Sequence, residues 1–124
     1  MTLLLIALAG GVGAATRFVL DGVINARWSA GGLRPGIVVI NVVGSFLLGL
    51  LVGLAARGSG LSTDTVAVLG LGFCGGLTTF STASLEPVHL WATGERGPAT
   101  AYVLVTLIGS LLAAWLGLAL AALA

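Results

Sequence analysis

Hydroxyls and an amide carry most of the chemistry open to this chain. Asn41 and Ser45 lie in one apolar run, Thr78-Thr79-Phe80-Ser81-Thr82 in the next, and Tyr102, Thr106 and Ser110 in the last. Asn41, Ser45, Gly49 and Gly53 are each four residues apart, as are Tyr102, Thr106, Ser110 and Ala114, and residues at that spacing stack on one helix face. Donors aligned without a fixed charge can replace the water around a small, strongly hydrated anion. The same spacings also have a packing use. Gly49-x-x-x-Gly53 is a helix-packing seam, and Ser or Thr in an apolar helix often bonds back to its own carbonyls. Asn41 fits packing alone less well, because a deep amide must find partners.

Acid–base and nucleophilic chemistry are poorly served. The chain has one histidine, one cysteine and no paired carboxylates, so no catalytic constellation is visible. Cys74 sits in an apolar run, where a cysteine acts as a small hydrophobe, and it has no partner for an intrachain disulfide. The net charge is +1 and the five basic residues are all arginines, which excludes a basic nucleic-acid surface and a polybasic lipid-binding tail.

The elements that must position these groups are apolar. Hydrophobic residues make up 58% of the 124 and charged ones 7%, the composition of an integral membrane protein with room for one unit, residues 1–124. A helix crossing the hydrocarbon core needs about 20 apolar residues. Four stretches qualify, roughly Thr2–Leu20, Gly36–Ala56, Thr63–Trp91 and Pro98–Leu123. Asp21–Pro35, Arg57–Ser62 and Ala92–Gly97 connect them and hold most of the charges and turn residues. No basic residue precedes the first apolar run, which reads as a retained helix rather than a signal peptide. Ser62-Thr63-Asp64 and Asn25 resemble helix N-caps, and Pro98 suits a first turn.

The third span is too long for one straight crossing, and its adjacent glycines and hydroxyls predict an interruption near Gly75–Ser81. Backbone freed at mid-bilayer depth is tolerated only where it is buried in protein or faces a polar cavity or ion. Four spans place both termini on one side. Arg27, Arg34 and Arg96 then lie opposite Arg57, a slight bias compatible with insertion in both orientations.

Arg17 and Glu86 are the ionisable residues closest to membrane depth. Arg17 either snorkels to the interface or concentrates anions in a vestibule. Glu86, next to Pro87, either caps a half-helix or engages a pore hydroxyl. His89 and Trp91 read as interfacial anchors. Phe80 would ordinarily be packing, but at an interruption its positive ring edge can meet an anion.

Three motifs in order, Gly10-Gly11-Val12-Gly13-Ala14-Ala15-Thr16-Arg17-Phe18, Asn41-Val42-Val43-Gly44-Ser45-Phe46 and Gly72-Phe73-Cys74-Gly75-Gly76-Leu77-Thr78-Thr79-Phe80-Ser81-Thr82, resemble the Fluc (CrcB) fluoride-channel family. The resemblance spans nearly the whole chain, and its third motif is the most specific. It implies an all-α membrane protein of four helices, the third broken mid-membrane, assembled as an antiparallel, dual-topology dimer in the bacterial cell membrane. It implies two fluoride pores and a structural sodium ion at the dimer interface, held by the carbonyls of Gly75 and Thr78. The fluoride pathway would run along Asn41, Phe80, Ser81, Thr82, Tyr102, Thr106 and Ser110, with Arg17 in the vestibule.

One position departs from the family pattern. A second phenylalanine is common three residues after the first, and Ala83 stands there instead. The chain is therefore either a homodimer with an incomplete aromatic box or one half of a heterodimer with a homologous subunit. A fluoride channel would let cytoplasmic fluoride leave passively and confer fluoride resistance. The competing readings are a small multidrug-type cation/proton antiporter and a non-conducting subunit of a heterodimeric channel. An antiporter of that kind needs a deep carboxylate in its first helix, and Thr2–Leu20 has none.

Overall fold

The computed structural model describes residues Met1 to Ala124, and its regular structure is helical apart from one β-bridge, Ala30 to Leu33, in a loop. Four helical crossings, Thr2–Trp28, Gly36–Ala56, Thr63–Ala92 and Arg96–Leu123, are each long and apolar enough to span a membrane. Only 19 of 124 residues are buried, so most large apolar side chains, Phe18 and Leu71 among them, point outward. Such a surface suits lipid or another subunit rather than water.

The first helix continues to Trp28, past the end expected at Leu20. The polar residues taken for a loop belong to its last turns and cap its neighbour. Asn25 donates to Asp21 Oδ1 (2.8 Å), one turn away, and its Oδ1 accepts the Gly36 N–H (2.9 Å) that opens the second helix. Asn25 thus caps a helix across the loop, not the one it would begin. Gly31 and Gly32, with φ of 60° and 81°, turn the chain back between them. Asn25→Ala should leave the Gly36 N–H buried without its acceptor and cost about 1 kcal/mol, seen as a lower thermal midpoint in detergent.

Ser62 caps the third crossing as its sequence implies, accepting from Thr65 N–H at 3.1 Å. Pro98 falls in the first turn of the fourth helix, which starts at Arg96.

The helices pack as two close pairs, the second against the fourth and the first against the early part of the third. Small residues set both spacings. A Cβ on Gly49 would meet the Ala114 carbonyl, and one on Gly53 would come within 2.6 Å of Ala121 Cβ. The packing-seam use of Gly49 and Gly53 is therefore what the structure shows. In the other pair, a Cβ on Gly13 would meet the Phe73 carbonyl and one on Gly76 the Gly10 carbonyl.

The third crossing departs twice from a regular helix. Ala67–Cys74 is π-helical, a wider winding often found near functional sites. The chain then leaves the helix at Thr78 (φ −81°, ψ 155°) and resumes at Ser81–Ala92. The interruption lies inside the expected Gly75–Ser81 window but not at its glycines. Gly75 is helical (φ −64°, ψ −37°), and Gly76 also lies within the helix. Gly76 serves close approach to the first helix, while the threonines make the break.

Candidate functional site

Breaking the helix frees several carbonyls, and neighbouring helices take up some of them. Asn41, on the second helix, faces Thr79 in a reciprocal pair: Asn41 Nδ2 donates to the Thr79 carbonyl (2.9 Å), and Thr79 N–H donates to Asn41 Oδ1 (2.9 Å). Arg17, on the first helix, donates from Nε to the Gly76 carbonyl at 3.3 Å. Arg17 is thus turned toward the broken backbone rather than only toward an interface. Gly44 makes room beside Asn41, since a Cβ there would meet Thr78 Cγ2. No backbone N–H bonds to the carbonyls of Gly75 or Thr78. Thr78 Oγ1 donates to the Cys74 carbonyl (2.9 Å), which leaves its own carbonyl as the free oxygen of that residue.

An open groove of about 1270 Å³ runs beside the break between the second, third and fourth helices. It brings together Asn41, Gly75, Thr78, Phe80, Thr106 and Ser110, with Ala83 on the same wall. Phe80 is 88% exposed, a large ring projecting from an apolar bundle. Arg17, Ser81, Thr82 and Tyr102 do not line the groove. Ser81 Oγ pairs instead with Thr79 Oγ1 at 3.1 Å. Tyr102 lies buried on the fourth helix.

The fourth-helix row divides in two. Thr106 Oγ1 donates back to the Tyr102 carbonyl at 2.7 Å, the ordinary fate of a helical threonine. The Tyr102 hydroxyl and Ser110 Oγ are buried with no hydrogen-bond partner within the chain. A buried donor without an acceptor is uncommon enough to need a reason, and an acceptor arriving along the row would supply one.

Two features escape the sequence. Thr79 is the backbone partner of Asn41, and nothing in residue spacing pairs positions in different spans. Arg34, from the first loop, lies 3.7 Å from Asp21 Oδ2 and 3.8 Å from Glu86 Oε1. Glu86 thus meets an arginine, in place of the helix cap or pore hydroxyl its position suggests. The polar i, i+4 pair Asp21 and Asn25 was the available signal for a helix continuing past Leu20.

Four apolar crossings with an interrupted third helix define a small multi-pass membrane protein whose polar groups gather at the interruption. Residues 4–118 match the family model described as "CrcB-like protein, Camphor Resistance (CrcB)", and the chain belongs to that family. It is 47% identical over 120 residues to "Fluoride-specific ion channel FluC 2" of Cutibacterium acnes, covering 97% of each chain. It is 41% identical over 117 residues to "Fluoride-specific ion channel FluC 2" of Rhodococcus jostii, covering 94% of this chain and 96% of that one. It is 42% identical over 120 residues to "Fluoride-specific ion channel FluC" of a Chelativorans species, covering 96% and 94%.

Proposed function

We propose that this chain is a subunit of a fluoride-specific channel through which cytoplasmic fluoride leaves the cell passively. The observation that carries the reading is the set of donors without fixed charge: Asn41 at the break, and the unpartnered hydroxyls of Tyr102 and Ser110 along the fourth helix. Such groups suit an anion that must shed water without being trapped. The near full-length likeness to proteins named as fluoride-specific channels supports the same substrate. Hydrogen fluoride enters as a neutral acid and dissociates inside, so an anion leak driven by the membrane potential suffices. No energy-coupling site is needed, and the function is not enzymatic.

A second copy in antiparallel orientation would cover the groove and the projecting Phe80. The free carbonyls of Gly75 and Thr78 are hard oxygen donors on that open face, the chemistry a sodium ion prefers. Each copy would contribute them to a structural sodium ion at the interface, where the ion would hold the two sets of carbonyl oxygens together.

An antiporter is disfavoured even though the first helix, being longer than expected, contains the carboxylate Asp21. Asp21 accepts from Asn25 and pairs with Arg34 near the end of that helix, so it is engaged rather than open to a cycle of protons and cations.

Fluoride release from liposomes holding only this purified chain, followed with a fluoride electrode after shunting the potential, tests the reading. Fast release with chloride retained is expected of a functional homodimer. A fluoride-tight liposome that becomes leaky only when a homologous subunit is added would make the chain half of a heterodimer, the reading Ala83 favours. Fluoride-tight liposomes under both conditions would overturn the channel. In a homodimer, Ala83→Phe should narrow the groove beside Phe80, slowing fluoride release and raising the ratio of fluoride to chloride. An unchanged ratio would show that the second ring is dispensable here.

A further inference from the structure

Beside the end of the fourth-helix row, the structure gathers three charges, Asp21, Glu86 and Arg34, that the pathway described above does not use. Asp21 lies near the C-terminal end of the first helix, Glu86 in the last turns of the third, and Tyr102 in the second turn of the fourth, so all three sit at the same end of the bundle. With about 1.5 Å of rise per residue, each lies roughly 10 Å from its helix terminus. Arg34 reaches them from the first loop and stands between the two carboxylates. The Ser81–Ala92 helix that carries Glu86 packs against the fourth helix, which carries Tyr102. The Tyr102 hydroxyl is the buried, unpartnered donor at this end of the row, on a residue 6% exposed.

Two carboxylates beside a donor meant for an anion present a problem. Unopposed, they would repel the anion the hydroxyl is placed to receive. Both contacts of Arg34 are long, and its side chain is 54% exposed, so it acts as a positive charge held nearby rather than as a tight bidentate lock.

Resting on the fluoride-channel reading, we propose that Arg34 is a positioning residue of the pathway: held between Asp21 and Glu86, it offsets their charge and makes the Tyr102 mouth passable to fluoride. It need not touch the ion. Its effect is on the field through which the ion passes.

Fluoride release from liposomes should be compared for the wild-type chain, Arg34→Gln, Arg34→Lys, Glu86→Gln and the double variant Arg34→Gln with Glu86→Gln, at low and high ionic strength. Where the chain needs a homologous subunit, the same set is run with that subunit present. Arg34→Gln should slow release roughly tenfold at low salt, and the deficit should shrink as salt screens the carboxylates. Arg34→Lys keeps the charge and should retain most of the flux. Removing Glu86's charge as well should bring release back toward the wild-type rate, a rescue that a purely structural role for Arg34 would not give. Thermal unfolding of the same set supplies a measure independent of transport. The double variant should lose less than the sum of the two single losses, as expected of residues in contact. Wild-type release with an unaffected Arg34→Gln, or a loss that Glu86→Gln fails to relieve in a chain of normal thermal midpoint, would overturn the role of Arg34 alone. A wild-type chain that passes no fluoride with or without a partner would overturn the channel reading and this role with it.

Discussion

Replacing Asn41 with aspartate should bring fluoride release down by about two orders of magnitude, the equivalent of about 2.7 kcal/mol. The substitution is nearly isosteric, so its effect isolates chemistry from volume. Asn41 Oδ1 accepts from Thr79 N–H, and aspartate can continue to do so. Nδ2 donates to the Thr79 carbonyl, and there aspartate places an ionised oxygen against another oxygen. The break then loses the group that satisfies its carbonyl, and the groove gains a negative charge on the proposed anion path. Release measured at matched protein density, with helicity and elution volume checked, separates this from misfolding. Undiminished release from a well-folded Asn41→Asp chain would reduce Asn41 to a packing residue.

Gly76→Ala and Gly75→Ala should differ sharply although the two residues are adjacent. A methyl on Gly76 would run into the carbonyl of Gly10, which is backbone and cannot swing aside. The first helix would have to move, and the Gly76 carbonyl would shift from Arg17 Nε. Overpacking of this kind costs about 1–3 kcal/mol, so folded yield and thermal midpoint should both fall steeply. Gly75 meets nothing closer than the Gly70 carbonyl at 3.8 Å and is exposed on the groove side. Its alanine variant should unfold like the wild type and show any effect in assembly instead. If both variants lost the same stability, the Gly10 contact would not be the cause.

The parts of the fold legible in the sequence were those set by composition over a long window. Four crossings, an interruption in the third, and Gly49 with Gly53 as a packing seam all follow from apolar runs and spacing. Hydropathy ends the first helix at Leu20, because Asp21 and Asn25 look like loop residues on that scale. Their bonds, one along the helix and one across to Gly36, appear only when two helices are adjacent. Helix propensity alone marks the glycine pair as the break, whereas Gly76 is there because its neighbour is a backbone carbonyl. Of the candidate site, the fourth-helix spacing could not show that Thr106 bonds to its own helix while Tyr102 and Ser110 have no partner. The pairing of Arg34 with Asp21 and Glu86 leaves no mark in the sequence, because the two carboxylates lie far apart in the chain and come from different helices.

The bonds at Thr79 and Gly76 also bear on the order in which the protein can form. Asn41 of the second helix and Arg17 of the first supply the partners for two carbonyls that the third segment gives up by breaking. A third segment entering the bilayer by itself has neither partner, and exposed carbonyls are expensive in lipid. It would therefore insert as an unbroken helix and open only on docking against both neighbours. The interruption is then a late event of biogenesis, a property of the assembled bundle rather than of its third segment.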